Sequence, residues 1–147
     1  QTTAQSLHDT LAGVGGELMI KVLQQIGDGV LVPKPQAKDG IIYANKLKKS
    51  EGRIDWSRAS AQIERQIRAL NPWPGVWFEF RGHRIKVLAA HVGDEIGPAG
   101  TVVNSPLNIA CGQGSICIDR LQQAGRDPMD VKEFIRGNPI THGTLLI

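Results

Sequence analysis

The stretch VWFEFRGHRIKVLA, residues 76–89, decides the fold. Val76, Phe78 and Phe80 alternate with Trp77, Glu79 and Arg81. After a turn at Gly82-His83, Ile85, Val87 and Ala89 alternate with Lys86 and Leu88. A period of two marks strands with one buried face, so the stretch predicts a β-hairpin. Downstream, Gly100-Thr-Val-Val starts another short strand. Leu107–Cys111, a turn at Gly112-Gln-Gly114 and Ser115–Asp119 predict a second hairpin. Leu121 begins a final strand-like piece ending at Gly125. Asp130-x-x-Glu133 has the spacing of a capping box for a short helix, Val131–Arg136, which Gly137 stops. Gly143–Ile147 predicts a last strand. Five or six short strands with Gly-rich turns and one capped helix predict a mainly β chain built on a small barrel.

Upstream of the hairpin, the period becomes helical over residues 57–70. Ser57 is the expected N-cap. Ala59, Ile63, Ile67 and Leu70 fall within about 80° on a helical wheel, and Arg58, Arg65 and Arg68 within about 80° roughly opposite. Asn71-Pro72 ends the helix. Residues 28–45 are an expected linker, broken by Pro33 and Pro35. Residues 5–26 predict one more helix, with Leu7, Leu11, Val14, Leu18, Val22 and Ile26 on one face and stop signals at Gly27 and Gly29. An apolar stripe needs a second layer, and the expectation is that its partner lies in a part of the protein upstream of Gln1.

The 147 residues are 41% hydrophobic and 21% charged, enough for a packed core. No apolar run approaches the roughly 18 residues of a membrane helix, and the first residues predict no signal peptide. Cys111 and Cys117 are too few for a disulfide scaffold and lack zinc-pair spacing. They are expected as small core residues in a reducing compartment. The net charge of +3 is uneven. Residues 31–90 hold twelve bases and five acids, a surplus of seven, while both ends are mildly acidic. A localised basic region points to an anionic partner.

No catalytic constellation is present. The histidines His8, His83, His91 and His142 are scattered, expected on loops and different elements. Gly112-Gln-Gly114 fails the dinucleotide fingerprint because position 117 is Cys. Asp55 and Glu64 are expected as ion-pair partners of neighbouring arginines, and no metal site is expected. Binding chemistry is better represented. Lys46, Lys48, Lys49 and Arg53 precede the helix, Arg58, Arg65 and Arg68 ridge it, and Arg81, Arg84 and Lys86 sit on the hairpin. Together they would track phosphates without sequence readout. Trp56 and Trp73 are expected as core or wedge residues, so backbone contacts outweigh base stacking in this reading.

At Arg53-Ile54-Asp55-Trp56, followed by Glu64-Arg65-x-Ile67-Arg68-Ala69-x-Asn71-Pro72-Trp73-Pro74-Gly75, the chain resembles the C-terminal half of the methionyl-tRNA formyltransferase family. The likeness extends from Leu7-His8-Asp9-x-Leu11-Ala12, through Tyr43-Ala44-x-Lys46-Leu47, to Leu121-Gln122-x-Ala124-Gly125. The first motif also resembles sugar-nucleotide formyltransferases and folate-formyl hydrolases; Asn71–Gly75 favours the tRNA family. The resemblance implies a two-domain parent whose Rossmann-like N-terminal domain binds 10-formyltetrahydrofolate and carries the catalytic Asn, His and Asp. The formyl group would pass to the methionine amino group of initiator methionyl-tRNA. Neither those residues nor the Ser-Leu-Leu-Pro donor loop has a counterpart here, so this chain alone is expected to be inactive. The implied organisation is a terminal helix of the absent domain (1–27), a linker (28–45) and an OB-like Greek-key barrel (46–147). The implied partners are tRNA and the catalytic domain, in a bacterial cytoplasm or an organellar matrix. Ile54, Asp55, Trp56, Asn71, Pro72, Trp73, Pro74 and Gly75 are then structural motif residues. A sugar-nucleotide enzyme and a stand-alone nucleic-acid-binding module are the alternatives.

Overall fold

The computed structural model describes residues 2–146. The chain divides into two compact units, residues 1–46 and 47–147. In the first, helix α1 (Ala4–Gly27) begins at a reciprocal cap. The Ser6 N–H donates to Thr3 Oγ1 at 3.2 Å, and the Thr3 N–H donates to Ser6 Oγ at 2.9 Å. These bonds satisfy two backbone groups that a helix start leaves open. None of its residues is buried. Gly29 takes a positive φ just beyond its end. Residues 30–46 hold neither helix nor strand. No helix among the described residues is long and apolar enough to cross a membrane.

The second unit is built on an antiparallel sheet. Its strands are β1 (Val76–Phe80), β2 (His83–Gly93), β3 (Val102–Asn104), β4 (Asn108–Ala110), β5 (Ser115–Gln123) and β6 (Met129–Asp130). Their order is β1-β2-β5-β4-β3, with β6 on β5. The β1–β2 connection is the two-residue turn Arg81-Gly82, both at positive φ (50° and 75°). Such a turn matches the right-handed twist of the strands. The pleat then sorts the side chains. One row, Val76–Val87–Leu121, points inward and is fully buried. The neighbouring row, Trp77–Lys86–Gln122, points to the other face.

Helix α2 (Ser60–Leu70) closes the core by burying Ile63, Ile67 and Leu70 with Phe78, Ile85 and Ile118. Burial of each such side chain contributes about 1.5–3 kcal/mol. Glu64 on the same helix is buried because Arg68, one turn on, pairs with it. Helix α3 (Val131–Gly137) adds Val131 and Phe134 to the core. Each sheet edge carries a bridge to a neighbouring segment. The Ile54 N–H donates to the Trp77 carbonyl at 2.9 Å, beside β1. The Val102 N–H donates to the Thr144 carbonyl at 2.9 Å, beside β3. These bridges occupy part of each edge, which shortens the ladder open to another chain.

Several expectations change. The chain is mixed rather than mainly β, 32% helical against 26% strand, and the sheet is open. No ladder joins β1 to β3 among the described residues. The helix expected from Ser57 starts at Ser60 because Ser57 is engaged elsewhere. Its N–H and hydroxyl both donate to Asp55 Oδ1, at 3.0 and 2.6 Å. The β4–β5 connection caps α2 instead, the Ser60 N–H donating to the Gln113 carbonyl at 2.9 Å. Asp55 is thus held by Ser57 rather than by an arginine ion pair. Leu121 starts no new strand, since β5 runs through it. The Asp130 side chain makes no capping bond to α3; Asp130 lies opposite Arg120 in the β5–β6 pair, 3.8 Å from its guanidinium. Strand β6 itself was not anticipated. The tail is a single bridge, Thr101 with Leu145, and the Ile147 end of the expected last strand lies outside the described residues. Cys111 is buried and Cys117 only half-buried. Burial pushes the Cys111 thiol up to about 11. Trp56 is a core residue at 6% exposure, tilted against Phe78, whereas Trp73 is 55% exposed and no core residue.

Two predictions follow from local geometry. A Cβ on Gly52 would collide with the Gly75 carbonyl oxygen. Gly52→Ala therefore lowers unfolding stability by about 1–3 kcal/mol in a urea titration; an unchanged midpoint contradicts the close approach. The Ser57 hydroxyl, then the Ser57 N–H and the nearby Arg58 charge, hold the Asp55 carboxyl below its ordinary value. Its stabilising effect is present above the ordinary carboxylate range and is lost as pH falls through the lowered value. Ser57→Ala moves the Asp55 NMR titration midpoint upward, towards the ordinary value; an unmoved midpoint rejects the bond.

Candidate nucleic-acid interface

Trp77 points away from the core, yet it is only 8% exposed. Its cover is cationic. The Arg84 guanidinium lies 3.8 Å from the ring centroid, and that of Arg53 lies 5.8 Å away. A guanidinium stacked on an indole is oriented while its N–H edges stay available for an anion. Lys86 is the cross-strand partner of Trp77, and Gln122 is the partner of Lys86 on β5. Arg84, Lys86, Gln122, Gln123, Ala124 and Gly125 line a groove of about 280 Å³. Among the described residues, no carboxylate lies within ion-pair distance of Arg53, Arg84 or Lys86. Three cations without an ion-pair partner around one aromatic ring, with Glu79 opposite Arg84 in the β1–β2 pair, make a surface suited to phosphate oxygens.

Backbone pins hold this surface together. The 3-10 turn Lys49–Gly52 carries Lys49, and Lys48 precedes it. Gln66 on α2 donates through Nε2 to the Glu51 carbonyl at 2.7 Å and to the Arg53 carbonyl at 3.3 Å. Gly52 lacks the Cβ that would bar it from Gly75. The Asn71–Gly75 turn is itself fixed, because Asn71 Nδ2 donates to the Ile67 carbonyl at 2.9 Å and the Val87 carbonyl at 3.0 Å. Its Asn71–Pro72 and Trp73–Pro74 peptide bonds are both cis. The Gly75 N–H closes the turn on the Leu70 carbonyl at 2.9 Å. Gly75 sits at φ +88°, and a Cβ there would meet the Lys86 stem at 3.7–3.8 Å. The lysine stem thus lies along the turn.

The ten basic residues do not form one cluster. Arg53, Arg84 and Lys86 meet around Trp77, with Lys48 and Lys49 on the adjoining turn. Arg81 folds over Phe80, 4.9 Å from its ring, at the hairpin tip. Arg58 lies before α2, beside Gly112, whose N–H donates to its carbonyl at 3.0 Å. That is one helix length, roughly 16 Å, from the C-terminal end of α2. Arg65 is exposed on α2, and Arg68 is engaged by Glu64. The expected ridge of three guanidiniums is therefore not a single helical feature. Lys46 belongs to the first unit and is exposed. Sequence reading missed Gln122 and the groove, which need the long-range β2–β5 pairing. The signal was the alternation around Leu121, which placed Gln122 on the face opposite the core.

A second concavity, about 480 Å³, is bordered by His91, Asn108, Cys117, Asp119 and Asp130. His91 Nδ1 lies 3.0 Å from Asp119 Oδ2. This histidine lies within β2 rather than on a loop.

Residues 46–139 match the family described as formyl transferase, C-terminal domain. A methionyl-tRNA formyltransferase of Paramagnetospirillum magneticum is 45% identical over 99% of this chain and 48% of its own length. One from Caulobacter vibrioides is 46% identical over 98% and 48%. The chain therefore spans about half the length of the curated relatives it matches. The structure of HypX from Aquifex aeolicus in complex with tetrahydrofolic acid is similar in fold, with a TM-score of 0.61 at 18% identity, covering 89% of this chain and 26% of that one. A profile match over most of the chain, with relatives of this identity along its whole length, gives one conclusion: the chain belongs to the formyl transferase C-terminal domain family.

Proposed function

We propose that this chain is the tRNA-holding part of a methionyl-tRNA formyltransferase. The observation that carries the reading is the cationic surface around Trp77, set on a domain whose relatives bear that enzyme's name. Arg84, Lys86 and Arg53 hold phosphates of initiator methionyl-tRNA, and Lys48 and Lys49 extend the path; Lys46, Arg58, Arg65, Arg68 and Arg81 lie outside this core of contacts. Phosphate contacts of this kind position an RNA without reading its sequence. The catalytic residues and the 10-formyltetrahydrofolate site belong to a domain outside this chain. The described residues fit that donor poorly: the concavity at His91 sets two carboxylates, Asp119 and Asp130, against one lysine, Lys132, so it offers an anionic folate no net positive charge. In this reading residues 1–27 are the last helix of the catalytic domain and 28–45 the linker, and the enzyme works in a bacterial cytoplasm or an organellar matrix. The sheet is an opened OB-type Greek key. Its order β2-β5-β4-β3 and the bridge of the tail onto the β3 edge support that description.

Binding of initiator tRNA by this chain, followed by fluorescence anisotropy across a salt series, tests the reading. Arg84→Ala and Lys86→Ala each weaken binding and reduce the salt slope by about one. Arg58→Ala, at the other end of α2, leaves both nearly unchanged. Equal loss in all three variants, or none, rejects the surface around Trp77 as the contact.

A further inference from the structure

Trp73 is the exposed tryptophan of the second unit, 55% accessible against 6% for Trp56 and 8% for Trp77. An indole is costly to leave in water, and this one is held there deliberately by its backbone. Pro72 and Pro74 flank it, each with a fixed φ. Asn71 ties one end of the turn to β2, and the Gly75 N–H ties the other to the Leu70 carbonyl. The ring therefore projects from an anchored turn rather than from a loose loop. Two residues on, at Gly75, a Cβ would meet the stem of Lys86 at 3.7–3.8 Å, so the turn runs close to that stem. Two residues span at most about 7 Å of backbone. A solvent-exposed indole on an anchored backbone is thus carried only two residues from the glycine that lies beside the Lys86 stem.

We propose that Trp73 is a stacking platform for an unpaired nucleobase of the RNA whose phosphates the groove holds. The proposal rests on the preceding functional reading and adds a second kind of contact to it. Cations alone attract any phosphate backbone, paired or not. An aromatic face beside them adds binding only when a base is free to leave its own stack. The indole needs no partner-specific hydrogen bond, so this preference is for unpaired over paired RNA rather than for a base sequence. The turn supplies the remaining condition, since an anchored backbone leaves only the indole's own side-chain torsions to be lost on binding. The charge beside Trp73 favours a polyanion over the apolar face of another protein. Trp56 and Trp77, both buried, have no face to offer.

The test pairs two short RNA hairpins with the 147-residue chain: one with a bulged unpaired base, the other fully paired. Wild-type chain is expected to bind the bulged hairpin more tightly. Trp73→Ala should lose roughly five- to 150-fold in affinity for the bulged hairpin. It should bind the paired hairpin as before, with its salt slope intact. Trp73→Phe should recover part of the loss. In wild-type chain, the bulged hairpin should also shield tryptophan emission from iodide quenching, a readout that needs no variant. Equal affinity of wild type and Trp73→Ala for the bulged hairpin, or unshielded emission at saturation, overturns the stacking proposal while leaving the phosphate surface standing. A chain that binds neither hairpin overturns both readings. Emission shielded only on adding a protein partner would reassign Trp73 to a protein contact and overturn the proposal.

Discussion

The pleat of the β1–β2–β5 sheet is the constraint on which the rest depends. One residue's shift in register would exchange its faces. In the observed register, Val76, Val87 and Leu121 reach the core, and Trp77, Lys86 and Gln122 reach the other side. Core and cationic surface are therefore the two faces of one choice. The apolar row is the stronger determinant, because three side chains at zero exposure contribute several kcal/mol together. The cations follow from it: Lys86 is outside because Val87 and Ile85 must be inside.

Trp77 links the sheet to the segment before α2. A large aromatic ring on an outer face would ordinarily be wet. Here Arg84 and Arg53 cover it, and Gly52 brings the backbone close beside it. The cover has a double effect. It removes the indole from water, and it fixes two flexible guanidiniums that would otherwise lose more freedom on meeting an anion. The turn at Asn71–Gly75 repeats the arrangement in reverse. Its backbone is pinned from both sides, and its tryptophan is left in solvent. One unit thus presents a covered indole that organises cations and an open indole on the neighbouring turn.

The edges explain why a sheet of this size stays a single unit without closing. Ile54 pairs with Trp77 at the β1 edge, and the tail pairs with Thr101 and Val102 at the β3 edge. Trp56 stands near both ends: its ring meets Phe78 of β1, and it lies against Gly100, just before β3. A side chain there does by packing what a closed ladder does by hydrogen bonds. The Arg53–Trp56 motif is accordingly structural at its core residues and cationic at its first.

The sequence by itself determined the first hairpin, the apolar stripe of α2, the leading helix and the end of α2 at Asn71-Pro72. Each of these is written in local periodicity or in residues that restrict their own backbone. It also carried the family, because Arg53–Trp56 and Asn71–Gly75 are strings specific enough to recognise. Only the tertiary structure decided which basic residues meet. Arg53 and Arg84 are far apart in sequence, and the Gln66 and Gly52 contacts that bring them to one ring depend on how α2 lies on the sheet. It also decided where α2 begins, since Gln113 caps it across the fold while Ser57 turns to Asp55. It decided the opposite fates of Trp73 and Trp77 as well. Both are tryptophans beside a strand start, and local pattern cannot distinguish them. Their exposure depends on what the rest of the chain lays over each ring: two guanidiniums and a glycine over one, solvent over the other.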